Sequence, residues 1–208
     1  MVKSGRLGLG LAVLALAVLG ASGPAVRSGL ASYSVGILML PAAGALGLAG
    51  AIFGAVALFR RAGVARPLFA IVLGASVAAI PTAGYLRARS VPPINDISTD
   101  PTESSDAQRA AYPDIRPLRL AVAPNIAFER AKVAAEEAGW QIVREDPSAG
   151  RIEAVATTRW FGFTDDIVVR ITAEGAGSRV DVRSKSRVGR SDLGTNAQRI
   201  RAYQRRLQ

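Results

Sequence analysis

Apolar positions follow two regimes along the chain. Up to Leu86 they run almost without a break, and beyond Pro117 they recur with the periods of strands and helices. In the first regime the stretches 7–22, 34–59 and 67–86 carry no charged residue. A spanning helix needs roughly 20 apolar residues, because about 30 Å of hydrocarbon is crossed at about 1.5 Å per residue. The pattern therefore predicts about three transmembrane helices within residues 1–89. Pro41 and Pro81 fall inside the second and third, where neighbouring helices can satisfy the freed backbone groups. Gly50 and Gly54 form a small-xxx-small spacing that lets helices approach closely. Packing within the chain's own bundle is favoured there over a dimer interface.

Residues 90–116 are expected to form an extended, Pro-rich tether. Pro92, Pro93 and Pro101 lack amide donors and push their predecessors toward extended geometry, and 102–111 is polar. From 117 to 208 the pattern predicts an α+β domain of order β-α-β-β-β-β-α. A short strand, 118–122, precedes a helix over 124–138 that Pro124 opens and Gly139 ends. Ala127, Phe128, Ala131, Ala134, Ala135 and Ala138 share one flat arc of that helix. Strands follow over 140–145, 151–158, 165–173 and 179–188, separated by Gly- and Pro-bearing turns. In the last of these, Val180 and Val182 alternate with Asp181, Arg183, Lys185 and Arg187, so one face is buried and one wet. A final helix, capped by Ser191 or Asp192, places Leu193, Ala197, Ile200, Tyr203 and Leu207 on one arc. The sheet is expected to be antiparallel with its helices on one face.

Charge sharpens the division. The 208 residues include 26 Lys and Arg against 16 Asp and Glu, yet no carboxylate precedes Leu86. Lys3, Arg6, Arg27, Arg60, Arg61 and Arg66 are the only charges there, which leaves 20 cations facing all 16 carboxylates in the remainder. Cations in short loops stay cytoplasmic. Three spans put Lys3 and Arg6 on the same side as Arg60, Arg61 and Arg66, opposite Arg27, and place the folded domain outside the cytoplasm, although Arg87 and Arg89 then lie outside too. The expected location is a multi-pass protein of the inner membrane with a periplasmic domain. An alternative makes the first segment a signal peptide, with Lys3 and Arg6 as its charged region and Ala21-Ser22-Gly23 as its cleavage site. Either way the domain is outside.

Four strings resemble the domain-of-unknown-function family 1499, found in bacterial membrane-anchored proteins. They are Pro93-Ile94-Asn95-Asp96-Ile97-Ser98-Thr99-Asp100; Ala111-Tyr112-Pro113-Asp114; Arg159-Trp160-Phe161-Gly162-Phe163-Thr164-Asp165-Asp166; and the run from Arg183 to Gly194. Asn95 stands where members of that family often carry His. The resemblance implies no activity.

The chain contains neither Cys nor His, which excludes disulfides, the usual zinc and iron sites, and imidazole-based triads. No metal or cofactor is implied. Asp165, Asp166 and Ser186 are the candidates for acid/base or nucleophilic work, within a set that includes Arg159, Arg183, Ser184, Arg187, Ser191 and Asp192. Against this stands the commoner role of Asp–Arg pairs in fixing loops and of Asp in capping helices. Ser184 and Lys185 are adjacent on a strand and point to opposite faces, so they form no dyad. Trp160, Phe161 and Phe163 surround Gly162 in an apolar loop that either plugs one end of the sheet or meets lipid or protein. Nine cations between Arg179 and Arg206, Arg183, Arg187 and Arg201 among them, suit anionic lipid headgroups or a solvated face. Nucleic acid is not expected as a partner outside the cytoplasm. The favoured function is a binding or scaffolding module of the cell envelope, engaging the bilayer and an envelope protein or anionic lipid. The alternative is an envelope hydrolase or transferase using an Asp/Ser/Arg cluster.

Overall fold

A computed structural model describes residues 3–61 and 63–208. The side chain of Lys3, counted among the amino-terminal cations, lies outside the described residues. By its contacts the chain forms two units, one of residues 1–87 with 159–162 and one of residues 88–158 with 163–208.

The first unit is built from three helices, α1 (Lys3–Arg27), α2 (Tyr33–Phe59) and α3 (Ala65–Ser90), each long and apolar enough to cross a membrane. Pro24, Pro41 and Pro81 lie inside them without ending them. Small residues make the seams. A Cβ placed on Gly50 would lie 2.8 Å from the Ala12 nitrogen, and one on Gly54 would lie 2.8 Å from the Pro67 oxygen. The Gly50/Gly54 pair thus packs inside this chain's bundle, with Gly50 against α1 and Gly54 against α3. The approach of α2 to α3 is closer still at Gly74, where an added Cβ would sit 2.3 Å from the Gly47 carbonyl oxygen. Only glycine allows backbones so near each other. Outward-facing residues such as Leu38, Phe69 and Val72 remain exposed, as lipid-facing positions of a bundle would.

The second unit is an α+β domain. Strands β1 (Asp96–Ser98), β2 (Leu118–Leu120), β3 (Gln141–Asp146), β4 (Arg151–Thr157), β5 (Thr164–Glu174) and β6 (Gly177–Ser186) alternate with α4 (Asp106–Ala111), α5 (Pro124–Glu137) and α6 (Thr195–Leu207). The sheet is antiparallel, in the order β1-β6-β5-β4-β3, and β2 pairs with β6 beside β1. On its inner face Ile152, Ile167, Val169, Ile171, Val180 and Val182 are buried under α5 and α6. The alanine arc of α5 lies flat against them, and Trp140 stacks on Tyr203 at 4.5 Å between ring centroids. Each large aliphatic side chain buried there is worth about 1.5–3 kcal/mol against leaving it in water.

The stretch read from sequence as a tether holds two elements. β1 is too short to show alternation, and its partner on β6 is nearly 90 residues away, so no local pattern announces it. Thr99 extends the stitching: its amide donates to the Val182 carbonyl at 2.9 Å and its Oγ1 accepts from the Val182 amide at 2.8 Å. The polar run 102–111 is ordered by Ser105, which caps α4, and by buried Gln108, whose amide group exchanges hydrogen bonds with both backbone groups of Ser98. The last helix also differs from expectation. Its N-cap is Gly194 in left-handed geometry (φ 77°), and Leu193 lies in the preceding turn, not on the helix. Asp192 caps from outside: its carboxylate accepts from the Gly194 amide at 2.8 Å and from the Asn196 amide.

Candidate functional site

The register of β5 on β6 sets Ile171 opposite Val180, Val169 opposite Val182, Ile167 opposite Ser184 and Asp165 opposite Ser186. Paired residues of adjacent strands share a face, so the inner face grades from aliphatic at one end to polar at the other. Helix α6 matches this gradient. Ile200, Tyr203 and Leu207 cover the aliphatic end, while Asn196 and Arg199 meet the polar one.

The result is a buried polar network. Arg199 Nη2 donates to Asp165 Oδ2 at 2.6 Å, and its Nη1 donates to Ser184 Oγ at 2.9 Å and to Asn196 Oδ1. Ser184 Oγ donates to Asn196 Oδ1 at 2.7 Å. Asn196 Nδ2 donates in turn to Ser186 Oγ and to the Asn95 carbonyl, each at 3.0 Å. Asn95 Nδ2 reaches the Gly189 carbonyl, tying the segment before β1 to the turn after β6. Ser184 and Asn196 have no solvent exposure at all. Ser184 Oγ faces a guanidinium and an amide, and Ser186 Oγ faces an amide, so the arrangement fixes these hydroxyls in place.

Asp166 points to the opposite face and is clasped by Arg187 through both carboxylate oxygens, with Nη2 at 2.6 Å from Oδ1. That hydrogen-bonded guanidinium holds the Asp166 carboxyl below the usual carboxylate range. Arg183 clasps Asp96 in the same manner, at 2.9 and 2.6 Å, and Arg201 clasps Asp114 at 2.5 and 2.7 Å while lying over the Tyr112 ring. Both carboxyls are lowered chiefly by these hydrogen bonds. The basic strand and helix therefore face carboxylates at Arg179, Arg183, Lys185, Arg187, Arg199 and Arg201, and the charge seen in the sequence is largely neutralised locally.

The aromatic residues stand in the loop between β4 and β5. Thr158 and Phe163 close it through the Thr158 amide and the Phe163 carbonyl at 2.8 Å, with Gly162 in left-handed geometry (φ 71°). Residues 159–162 group with the helices. Trp160 Nε1 donates to Ser22 Oγ at 3.4 Å, and Arg27 donates to the Arg159 carbonyl at 2.6 Å. Trp160 stays half exposed, and none of Trp160, Phe161 and Phe163 belongs to the sheet's buried core.

Of the sequence candidates Asp165, Asp166 and Ser186, the fold brings Asp165 and Ser186 to one face, together with Ser184 of the wider set, and turns Asp166 to the other. Sequence reasoning missed Asn196 and the role of Arg199. The signal for Asn196 was present: it sits four and seven residues before Ile200 and Tyr203, a lone amide on an apolar arc. The two helices also border an open groove of about 460 Å³, lined by Glu129, Arg130, Val133, Glu137 and Arg206 among others. Asp165 and Asp166 are not part of its lining.

A family model described as "Protein of unknown function (DUF1499)" matches residues 94–207, from just before β1 to the end of α6. No curated protein and no solved structure matches the chain.

Proposed function

The chain belongs to the DUF1499 family, and on that premise we propose that it is a multi-pass inner-membrane protein whose periplasmic domain is a binding or scaffolding module of the cell envelope. The observation that carries this is the state of the candidate carboxylates. Asp165 is shut in with Arg199, its side chain only 5% exposed. Asp166 is chelated by Arg187 and held low, which makes it a weak proton acceptor near neutral pH. A hydrolase or transferase built on either would need the carboxylate freed and a cavity around it. Between α5 and α6 lies instead an open groove with half-exposed Val133 on its wall, apolar surface of the kind on which a partner segment docks.

Location rests on the arginines. Arg60, Arg61 and Arg66 lie in or beside the turn between α2 and α3, on the same side as Arg6 when all three helices span, and this bias favours a cytoplasmic turn. The membrane region then ends near residue 89, and the domain stands outside. A photoreactive residue at Val133 tests the binding role in intact cells, with Ala149 in the exposed β3–β4 turn as control. A discrete adduct at Val133 and none at Ala149 is expected. No adduct, or equal adducts at both, contradicts the proposal.

A further inference from the structure

The helices bring four arginines to one end of the bundle. A Cβ placed on Gly5 would lie 3.6 Å from Ala57 Cβ and 3.7 Å from Pro67 Cγ, so the start of α1, the end of α2 and the start of α3 are level. Arg6, Arg60, Arg61 and Arg66 all fall within about one helical turn of that level. All four are exposed. Residues 1–86 contain no Asp or Glu, and among the described residues none of the four takes part in an ion pair. This is the reverse of the basic carboxy-terminal segment, where Arg183, Arg187 and Arg201 each clasp a carboxylate.

Two further features suit a headgroup layer. Phe59 is 90% exposed and Val64 is 62% exposed, so apolar side chains stand among the guanidinium groups at the same level. Such a mixture matches the boundary between acyl chains and headgroups. Arg61 also holds left-handed backbone geometry (φ 53°), which Gly or Asn would adopt at less cost, and so keeps a second guanidinium beside Arg60 in the short turn.

We propose that this end of the bundle is a binding surface for the headgroups of anionic phospholipids in the leaflet it faces, the guanidinium groups engaging lipid phosphate. The inference rests on the helices spanning a bilayer and deepens that proposal by naming the lipid class and the residues. Planar guanidinium groups pair with phosphate oxygens in a fork geometry, and several converging from different helices favour a lipid carrying net negative charge over a zwitterion.

Full-length protein in detergent, offered equal amounts of phosphatidylglycerol and phosphatidylcholine, tests this by native mass spectrometry of the lipids retained. The expected preference for phosphatidylglycerol is about fivefold, falling to near parity in Arg60→Gln/Arg61→Gln/Arg66→Gln and in high salt. Arg205→Gln/Arg206→Gln should keep the full preference, and free glycerophosphate should not displace the lipid. The proposal is overturned if the triple variant and high salt leave the preference intact, if the Arg205/Arg206 variant abolishes it, or if glycerophosphate competes. Extraction of the protein from membranes by alkaline carbonate would remove the spanning premise itself, an outcome separate from a membrane-embedded protein without lipid preference.

Discussion

The guanidinium of Arg199, on α6, donates to the carboxylate of Asp165, on β5, across 2.6 Å, with the two side chains only 12% and 5% exposed. Removing one member strands the other charge in the interior, which costs about 3–5 kcal/mol. Asp165→Asn and Arg199→Gln are each expected to lower the unfolding free energy of the domain by that order, and Asp165→Leu/Arg199→Met to recover most of the loss. Urea unfolding of the purified full-length protein measures all three.

Tyr203 contributes through both its ring and its hydroxyl. Its Oη donates to the Ala131 carbonyl at 2.8 Å and its ring stacks on Trp140, and burial pushes the phenol's pKa upward. Tyr203→Phe keeps the ring and is expected to cost about 1 kcal/mol, whereas Tyr203→Ala opens a cavity and costs about 3–5 kcal/mol. Comparable losses in the two variants would show that the hydroxyl, not the packing, matters most.

Within the bundle, Gly47 and Gly74 are expected to tolerate nothing larger. A Cβ at either position meets the other's carbonyl oxygen, at 2.6 and 2.3 Å, and that oxygen belongs to a backbone that cannot swing aside. Gly74→Ala should destabilise the helices by about 1–3 kcal/mol through overpacking. Gly84→Ala, where an added Cβ meets nothing within 4 Å, should not destabilise them. Thermal unfolding in one detergent compares the pair.

Acid should weaken the sheet domain through its clasped carboxylates. Asp96, Asp114 and Asp166 are all held below their ordinary value, first of all by hydrogen bonds from Arg183, Arg201 and Arg187. A carboxyl whose folded value is depressed stabilises the fold at pH above its unfolded value, near 3.9. That contribution is lost as pH falls through the lower folded value, so the loss is expected below about pH 4. Asp96→Asn should lower stability at pH 7 and flatten the acid limb of the denaturation midpoint. An unchanged limb would mean that Asp96 contributes nothing through its charge.

The three long apolar helices and the β-α-β-β-β-β-α order were legible because each signal is local: uncharged runs near Leu40 and Leu73, alternation at Ile167, Val169 and Ile171, and the alanine arc of α5. β1 was not, since Asp96–Ser98 becomes a strand only by pairing with Arg183–Lys185. The same holds for the polar network. Asp165 and Ser186 stood out by residue type, but their partners Arg199 and Asn196 are placed by the crossing of α6 over the sheet, a tertiary fact. The basic strand misled for a related reason. Lys and Arg are visible in sequence as charge, whereas the carboxylates at Asp96 and Asp114 that neutralise them come from the segment before β2.

The proposed orientation takes the helices across the membrane with the α2–α3 turn inside the cell and the sheet domain outside. The chain has no cysteine, so single cysteines can be introduced at Val64 and Ala149, both exposed, and challenged with a maleimide that crosses the outer envelope but not the inner membrane. Labelling of Ala149→Cys in intact cells, with Val64→Cys labelled only after lysis, is the expected result. Labelling of Val64→Cys in intact cells with Ala149→Cys protected would reverse the orientation and contradict the account.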